Sequence, residues 1–248
     1  MIVTRTPTSY RVIVQQAHAM LATQAALHLH PDLQPRMWAD TLIAIATHDD
    51  HQHPHDHGEY LDARGAPVDF EDDPEPASSH LRQARLVVQS SGLRSGFTQL
   101  LIIQHMQFLY SHYAEHNEQW HEFMDFLNKQ SLHLQATLDM TPAQAHESYE
   151  VLRFFDRLSL ILCREECRDD GREVEVNTSI RDVQYMLSQE NKVYTIEPWP
   201  FYKDEFEVQL EVRHIRELSF VSGDAFAKAI TKTPVTRESF HFKQPSTQ

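Results

Sequence analysis

The chain has 248 residues, enough for one large domain or a core with an appendage. Its 41% hydrophobic and 23% charged residues are ordinary for a soluble globular protein and exclude fibrous, wholly disordered and membrane-spanning classes. The 22 Lys and Arg against 36 Asp and Glu leave a net charge of −14, which repels phosphate backbones and argues against a nucleic-acid partner, while 17 histidines direct attention to metal.

In chain order, Ile2 to Arg5 and Tyr10 to Val14 alternate apolar and polar residues around the Pro7-Thr8-Ser9 turn and predict a hairpin. Helical periodicity follows over Gln16 to Leu29, and Pro35 suits the first turn of a helix running to about Thr47. From Asp50 to Ala77 the chain is rich in Pro, Gly, Asp and His without periodicity, which reads as a rim or lid over a site. Within it, HQHPHDHG places a histidine at every second position, a solvated tract with adventitious affinity for metal, and the acidic run Asp69 to Glu75 reads as a solvated loop.

Ser78 or Ser79 can cap a helix through about Ser91, and Ser95 caps the apolar GFTQLLIIQHMQFLYSHYA. A further helix covers Glu118 to Leu138, and Thr141-Pro142 opens the last long one, to about Cys167, with Leu152, Phe155, Leu158, Ser159 and Leu162 at three-and-four spacing. After Gly171 the texture changes: 173–177, 183–187, 193–196, 206–212 and 235–242 read as strands, with a short helix near 225–230. Pro198 and Pro200 around Trp199 fix a turn at a strand end. The expected architecture is a single domain over 1–248, mainly α with β. A helical core over 16–167 carries an N-terminal hairpin (1–15) and a C-terminal antiparallel β-rich flank (172–248), and the hairpin is a candidate to join that sheet. Cys163 and Cys167 are the only cysteines, too few for a disulfide scaffold, and the N-terminus lacks a signal-peptide pattern, so a cytoplasmic location without an anchor is expected.

Six nitrogen or oxygen donors fall on the helical segments: His18 near the start of the first, His48 and Asp49 ending the second, His80 opening the third, His105 inside the fourth and Asp156 inside the last. Imidazole and carboxylate suit iron, manganese or zinc, and the lack of a thiolate set argues against a structural zinc knuckle. His105 and Asp156 interrupt strongly apolar stretches, where an unpaired polar group costs several kcal/mol, and ligation explains both. Asp50 reads either as an acceptor or general base beside the ligands or as a solvent carboxylate at a helix end. Arg82 and Arg85 after His80, and Arg153 and Arg157 around Asp156, are candidates to grip an anionic substrate, with salt bridges to the acidic surplus as the alternative.

A lone His, a His-Asp doublet and a distant Asp resemble the HD-domain superfamily, and the two histidines between doublet and Asp resemble its two-metal members. More narrowly, HDD (48–50), QHMQFLY (104–110), FFDRLSLILC (154–163) and PWPF (198–201) resemble a bacterial family, domain-of-unknown-function family thirty-eight ninety-one. The superfamily resemblance implies an HD-like helical core, with His18, His48, Asp49 and Asp156 on one divalent ion, His80 and His105 on a second, and Asp49 bridging and catalytic. The leading expectation is a metal-dependent HD-like phosphohydrolase of a small, anionic phosphorylated molecule, acting without nucleic acid or membrane. The alternatives are a di-iron oxygenase of a small polar substrate and a non-enzymatic metal-containing sensor or binding module. Homo-oligomer formation is left open.

Overall fold

The computed structural model describes residues 1–51, 60–72, 77–176 and 180–245. The hairpin forms as β1 (Ile2–Arg5) and β2 (Tyr10–Ile13), paired antiparallel with Ile2 opposite Ile13. Helices α1 (Gln15–Ala26), α2 (Trp38–Thr47), α3 (Ala77–Gly92), α4 (Gly96–Tyr110), α5 (Glu118–Thr137) and α6 (Pro142–Cys163) follow. The Ser95 hydroxyl caps α4 by accepting from Thr98 N at 3.0 Å, and Thr141 with Gln144 forms a capping box on α6, with Pro142 in its first turn. Pro35 lies ahead of α2 and not inside it, and Ser78 and Ser79 fall within α3.

Helix α4 is apolar nearly all round because it is surrounded: it packs against α2, α3, α5 and α6. Leu100, Leu101, Ile102 and Ile103 are all fully buried, four consecutive residues that no single face could hide. Helix α1 packs on α2, α6 and the sheet, while α2, α4 and α6 pack on one another, so His18, His48, His105 and Asp156 lie on adjoining segments.

The β region differs from the expected architecture. Strands β3 (Val174–Glu175), β4 (Met186–Glu190), β5 (Val193–Glu197), β6 (Glu205–Ile215) and β7 (Val235–Lys243) join β1 and β2 in one curled seven-stranded sheet of order β1-β2-β6-β7-β5-β4-β3. The sheet is mixed and not antiparallel, because the chain leaves β6 through α7 (Gly223–Lys232) and returns as β7 between β6 and β5, parallel to β5. Among the described residues the fold is therefore α/β, with a half-barrel-like sheet as a full structural layer, and the reading of a mainly helical protein with a C-terminal antiparallel flank is corrected.

Period-two alternation explains how that sheet is buried. On β2, Ile13 enters the principal core with Leu21 and Phe155, whereas Val12 faces a second cluster with Ile215, Phe220, Phe226 and Ile230. On β6, Phe206, Val208, Leu210 and Val212 are buried while the residues between them are not. Helices and sheet thus share the principal core, and β2 contributes to both clusters. Among the described residues, no helix is long and apolar enough to cross a membrane.

Candidate metal centre

The metal-type donors come together where α1, α2, α4 and α6 meet. His18 and Asp49 lie 2.8 Å apart, Nε2 to Oδ2, and His48 Nε2 lies 3.2 Å from Asp156 Oδ1 and 3.5 Å from Asp49 Oδ2. His18, His48 and Asp49 form one potential ligand group, and His48, His105 and Asp156 form another, each with donor atoms within 4.8 Å of one another. Because His48 is common to both, five side chains describe one compact centre. The His48 ring is edge-on to those of His18 and His105, each with centroids 5.1 Å away.

The hydrogen bonds on the far side of each ring fix which nitrogen points inward. Ile45 O is only an acceptor, so His48 Nδ1, 2.7 Å away, must carry a proton. The Ser159 hydroxyl donates to Asp156 O at 2.8 Å, so it accepts from His18 Nδ1–H at 2.9 Å. His105 Nδ1 meets the Tyr149 hydroxyl at 3.3 Å. All three imidazoles therefore have Nδ1 engaged outward and Nε2 left for the centre. A neutral His18 in this tautomer sets a lone pair of Nε2 against a carboxylate oxygen at 2.8 Å, an arrangement that requires a proton or a metal cation between them.

Electrostatics describe the same demand for positive charge. Burial alone would depress His48, but Asp49 and Asp156 push it up to about 10. Burial opposes ionisation of Asp49 and Asp156, yet the charge on His48, with hydrogen bonds from His18 and His48 respectively, holds both carboxyls below the usual range. His105 goes the other way, to about 4, because burial and the adjacent His48 charge both disfavour its protonation. The two carboxylates and the inward-facing Nε2 atoms form a donor set that a divalent ion could bind in exchange for protons.

The centre forms one wall of a cavity of about 430 Å³. His18, Asp49, His105 and Asp156 line it together with Gln15, Tyr60, Phe70, Glu71, Leu109, Tyr110, Tyr113 and Leu160. The rim expected from the 50–77 segment is present in its described part: Tyr60, Phe70 and Glu71 border the cavity, held by Phe70 N to Met1 O at 3.0 Å and Asp69 Oδ2 accepting from Val3 N at 2.8 Å. Asp69 also pairs with Arg164 at 2.8 Å, so this end of the acidic run is anchored and not merely solvated. His53, His55 and His57, and residues 73–75 of the acidic run, lie outside the described residues.

Other candidates stand elsewhere. His80 borders the cavity but joins neither ligand group; its ring stacks with Tyr110 and Tyr113, at centroid distances of 6.0 and 6.1 Å. Asp50 is engaged by Arg94 at 2.8 Å and is not among the lining residues, against its reading as a base. None of the four arginines lines the cavity. Arg82 and Arg85 are exposed, with Arg85 over the Phe123 ring; Arg153 lies on Phe108 at 3.9 Å; and Arg157 pairs with Glu166 at 2.7 Å. Arg85, Arg153 and Arg157 follow local partners of their own, because an exposed helix face is not aimed at the cavity by being near His80 or Asp156 in sequence. Sequence reasoning assigned no role to Ser159, Tyr149 or Gln15. The available signal was helical: Ser159 follows Asp156 by three, Tyr149 precedes it by seven, and Gln15 precedes His18 by three.

A family model described as "Protein of unknown function (DUF3891)" matches residues 1–217. No curated protein and no solved structure matches the chain.

Proposed function

The chain belongs to the DUF3891 family, and since that description assigns no activity, we propose from the side chains themselves that it is a metal-dependent phosphohydrolase acting on a small phosphorylated molecule. The observation that carries this reading is the orientation of the three imidazoles: each has Nδ1 tied to a neighbour and Nε2 directed at a pair of carboxylates beside an open cavity.

In this reading His18, His48, Asp49 and Asp156 hold one ion, in the manner of the HD-type centres that the residue pattern resembles, and His105 completes its surroundings. A divalent ion there supplies Lewis acidity toward a phosphoryl oxygen and lowers the pKa of a water. The protein contributes the rest. Ser159 and Ile45 hold the His18 and His48 rings with Nε2 inward, and Leu109, Leu160 and Phe70 supply the apolar part of the cavity wall. We assign one ion in place of the two expected from sequence, since His80 stands with the tyrosines and outside both ligand groups.

Manganese-reconstituted protein, assayed without oxygen on a panel of phosphomonoesters and phosphodiesters, is expected to release phosphate or the alcohol, and the Asp49→Ala variant to lose that activity. Silence across the panel, combined with oxygen consumption by iron-loaded protein, would replace hydrolysis with the oxygenase chemistry considered from sequence.

A further inference from the structure

The three imidazoles of the centre are not held alike. His48 Nδ1–H donates to Ile45 O, and His18 Nδ1–H donates to a hydroxyl whose own proton goes to Asp156 O, so both rings carry a proton on Nδ1. His105 Nδ1 instead meets the Tyr149 hydroxyl at 3.3 Å, and both residues are buried. Among the described residues that ring nitrogen is the one hydrogen-bond partner of the Tyr149 hydroxyl. A buried O–H needs an acceptor, and a phenol is a stronger donor than a neutral imidazole N–H, while the unprotonated ring nitrogen is the better acceptor of the two. The bond therefore runs from Tyr149 O–H to His105 Nδ1. Burial and the positive charge at His48 disfavour a second ring proton, so the single one sits on Nε2.

Nε2 is the cavity side of this ring. His105 lines the cavity, whereas Tyr149, behind Nδ1, is not among the described lining residues. Asp156 lines it too, and the donor atoms of His48, His105 and Asp156 fall within 4.8 Å of one another. An N–H cannot ligate a cation. His105 thus presents the opposite of what a ligating His18 and His48 present, a hydrogen-bond donor beside a set of lone pairs. Such a donor next to an ion suits an oxyanion, because the ion takes one oxygen and the N–H another.

We propose that His105 is an oxyanion-binding donor and not a metal ligand, with Tyr149 as the positioning residue that fixes its tautomer. The oxyanion role rests on the ion of the reading above, whereas the tautomer is measured with or without it. Nitrogen NMR of the histidine rings, in metal-free and zinc-loaded protein, is expected to show His105 protonated at Nε2. In Tyr149→Phe its Nδ1 signal is expected to move downfield, toward that of a ring nitrogen accepting no hydrogen bond. By calorimetry, zinc-loaded protein is expected to bind inorganic phosphate. His105→Ala is expected to weaken that binding roughly tenfold or more, as for a lost hydrogen bond to a charged group, and to keep the zinc content of the parent. Protonation of His105 at Nδ1 would overturn the inference, and the parent spectrum decides this even if a variant does not fold. An unmoved Nδ1 signal in Tyr149→Phe, loss of zinc in His105→Ala, or phosphate binding absent from the parent or equal in parent and variant would overturn it as well. Phosphate bound as expected, without hydrolysis of any ester, would uphold the donor and remove only the hydrolytic reading.

Discussion

Ser159 contributes through another residue's ring. Its hydroxyl donates to Asp156 O and accepts from His18 Nδ1, so it ties His18 to the helix that carries Asp156. With Ser159→Ala the His18 ring loses the partner that fixes its tautomer, and metal affinity is expected to fall roughly 10- to 100-fold, as when other partners outside a ligand set are removed. Chelator competition measures it, and unchanged affinity would show that the His18 ring is held by packing alone. At this scale the sequence is informative where a polar residue interrupts an apolar helix. His105 and Asp156 stand out in sequence because they interrupt apolar runs, near Leu100 to Ile103 and beside Phe154 and Phe155, and the structure brings both into the polar cluster. His80 and the four arginines are not legible in that way. They stand on less buried helix faces, and nearness to a ligand in sequence does not say which way such a face turns.

The helices as elements follow directly from local chemistry. Ser95 and the Thr141, Pro142 and Gln144 trio mark two starts, and an all-round apolar α4 can be satisfied only as the central helix. Position matters more than composition in that helix's contribution to stability. Leu101→Ala, at a fully buried site, is expected to cost on the order of 2 to 5 kcal/mol through lost burial and the cavity left behind. Leu93→Ala, in the exposed link between α3 and α4, is expected to change stability by less than about 0.5 kcal/mol. Urea unfolding of both variants measures the contrast, and similar losses at the two sites would mean that α4 is not the packed centre of the helical layer. Strands were also legible as elements from their alternation, including the long β6, but the two-residue β3 is shorter than its segment suggested because pairing with β4 covers only Val174 and Glu175.

For the whole molecule, alternation says that a segment is a strand and not which strand lies beside it. The insertion of β7 between β6 and β5 is therefore invisible in sequence, and with it the mixed sheet that turns an apparent flank into half of an α/β fold. The hairpin's place is set by long-range partners of the same kind. Arg11 on β2 is buried, donates to Cys163 O at the end of α6 at 2.7 Å, and pairs with Glu238 on β7. That contact joins the N-terminal strands, the Asp156 helix and the C-terminal strand, so the sheet braces the helix that carries Asp156. We propose that this frame positions His18, His48, Asp49 and Asp156 to hold one divalent ion. Its most direct test is metal analysis of untagged protein, purified without a metal column and washed with a weak chelator to clear the histidine tract, alongside Asp49→Ala and His80→Ala. Wild type and His80→Ala are expected to carry about one manganese, iron or zinc ion per chain, the metals suited to this imidazole and carboxylate set, and Asp49→Ala to carry essentially none. A metal-free wild type, full retention in Asp49→Ala, or a second ion lost in His80→Ala would contradict the account.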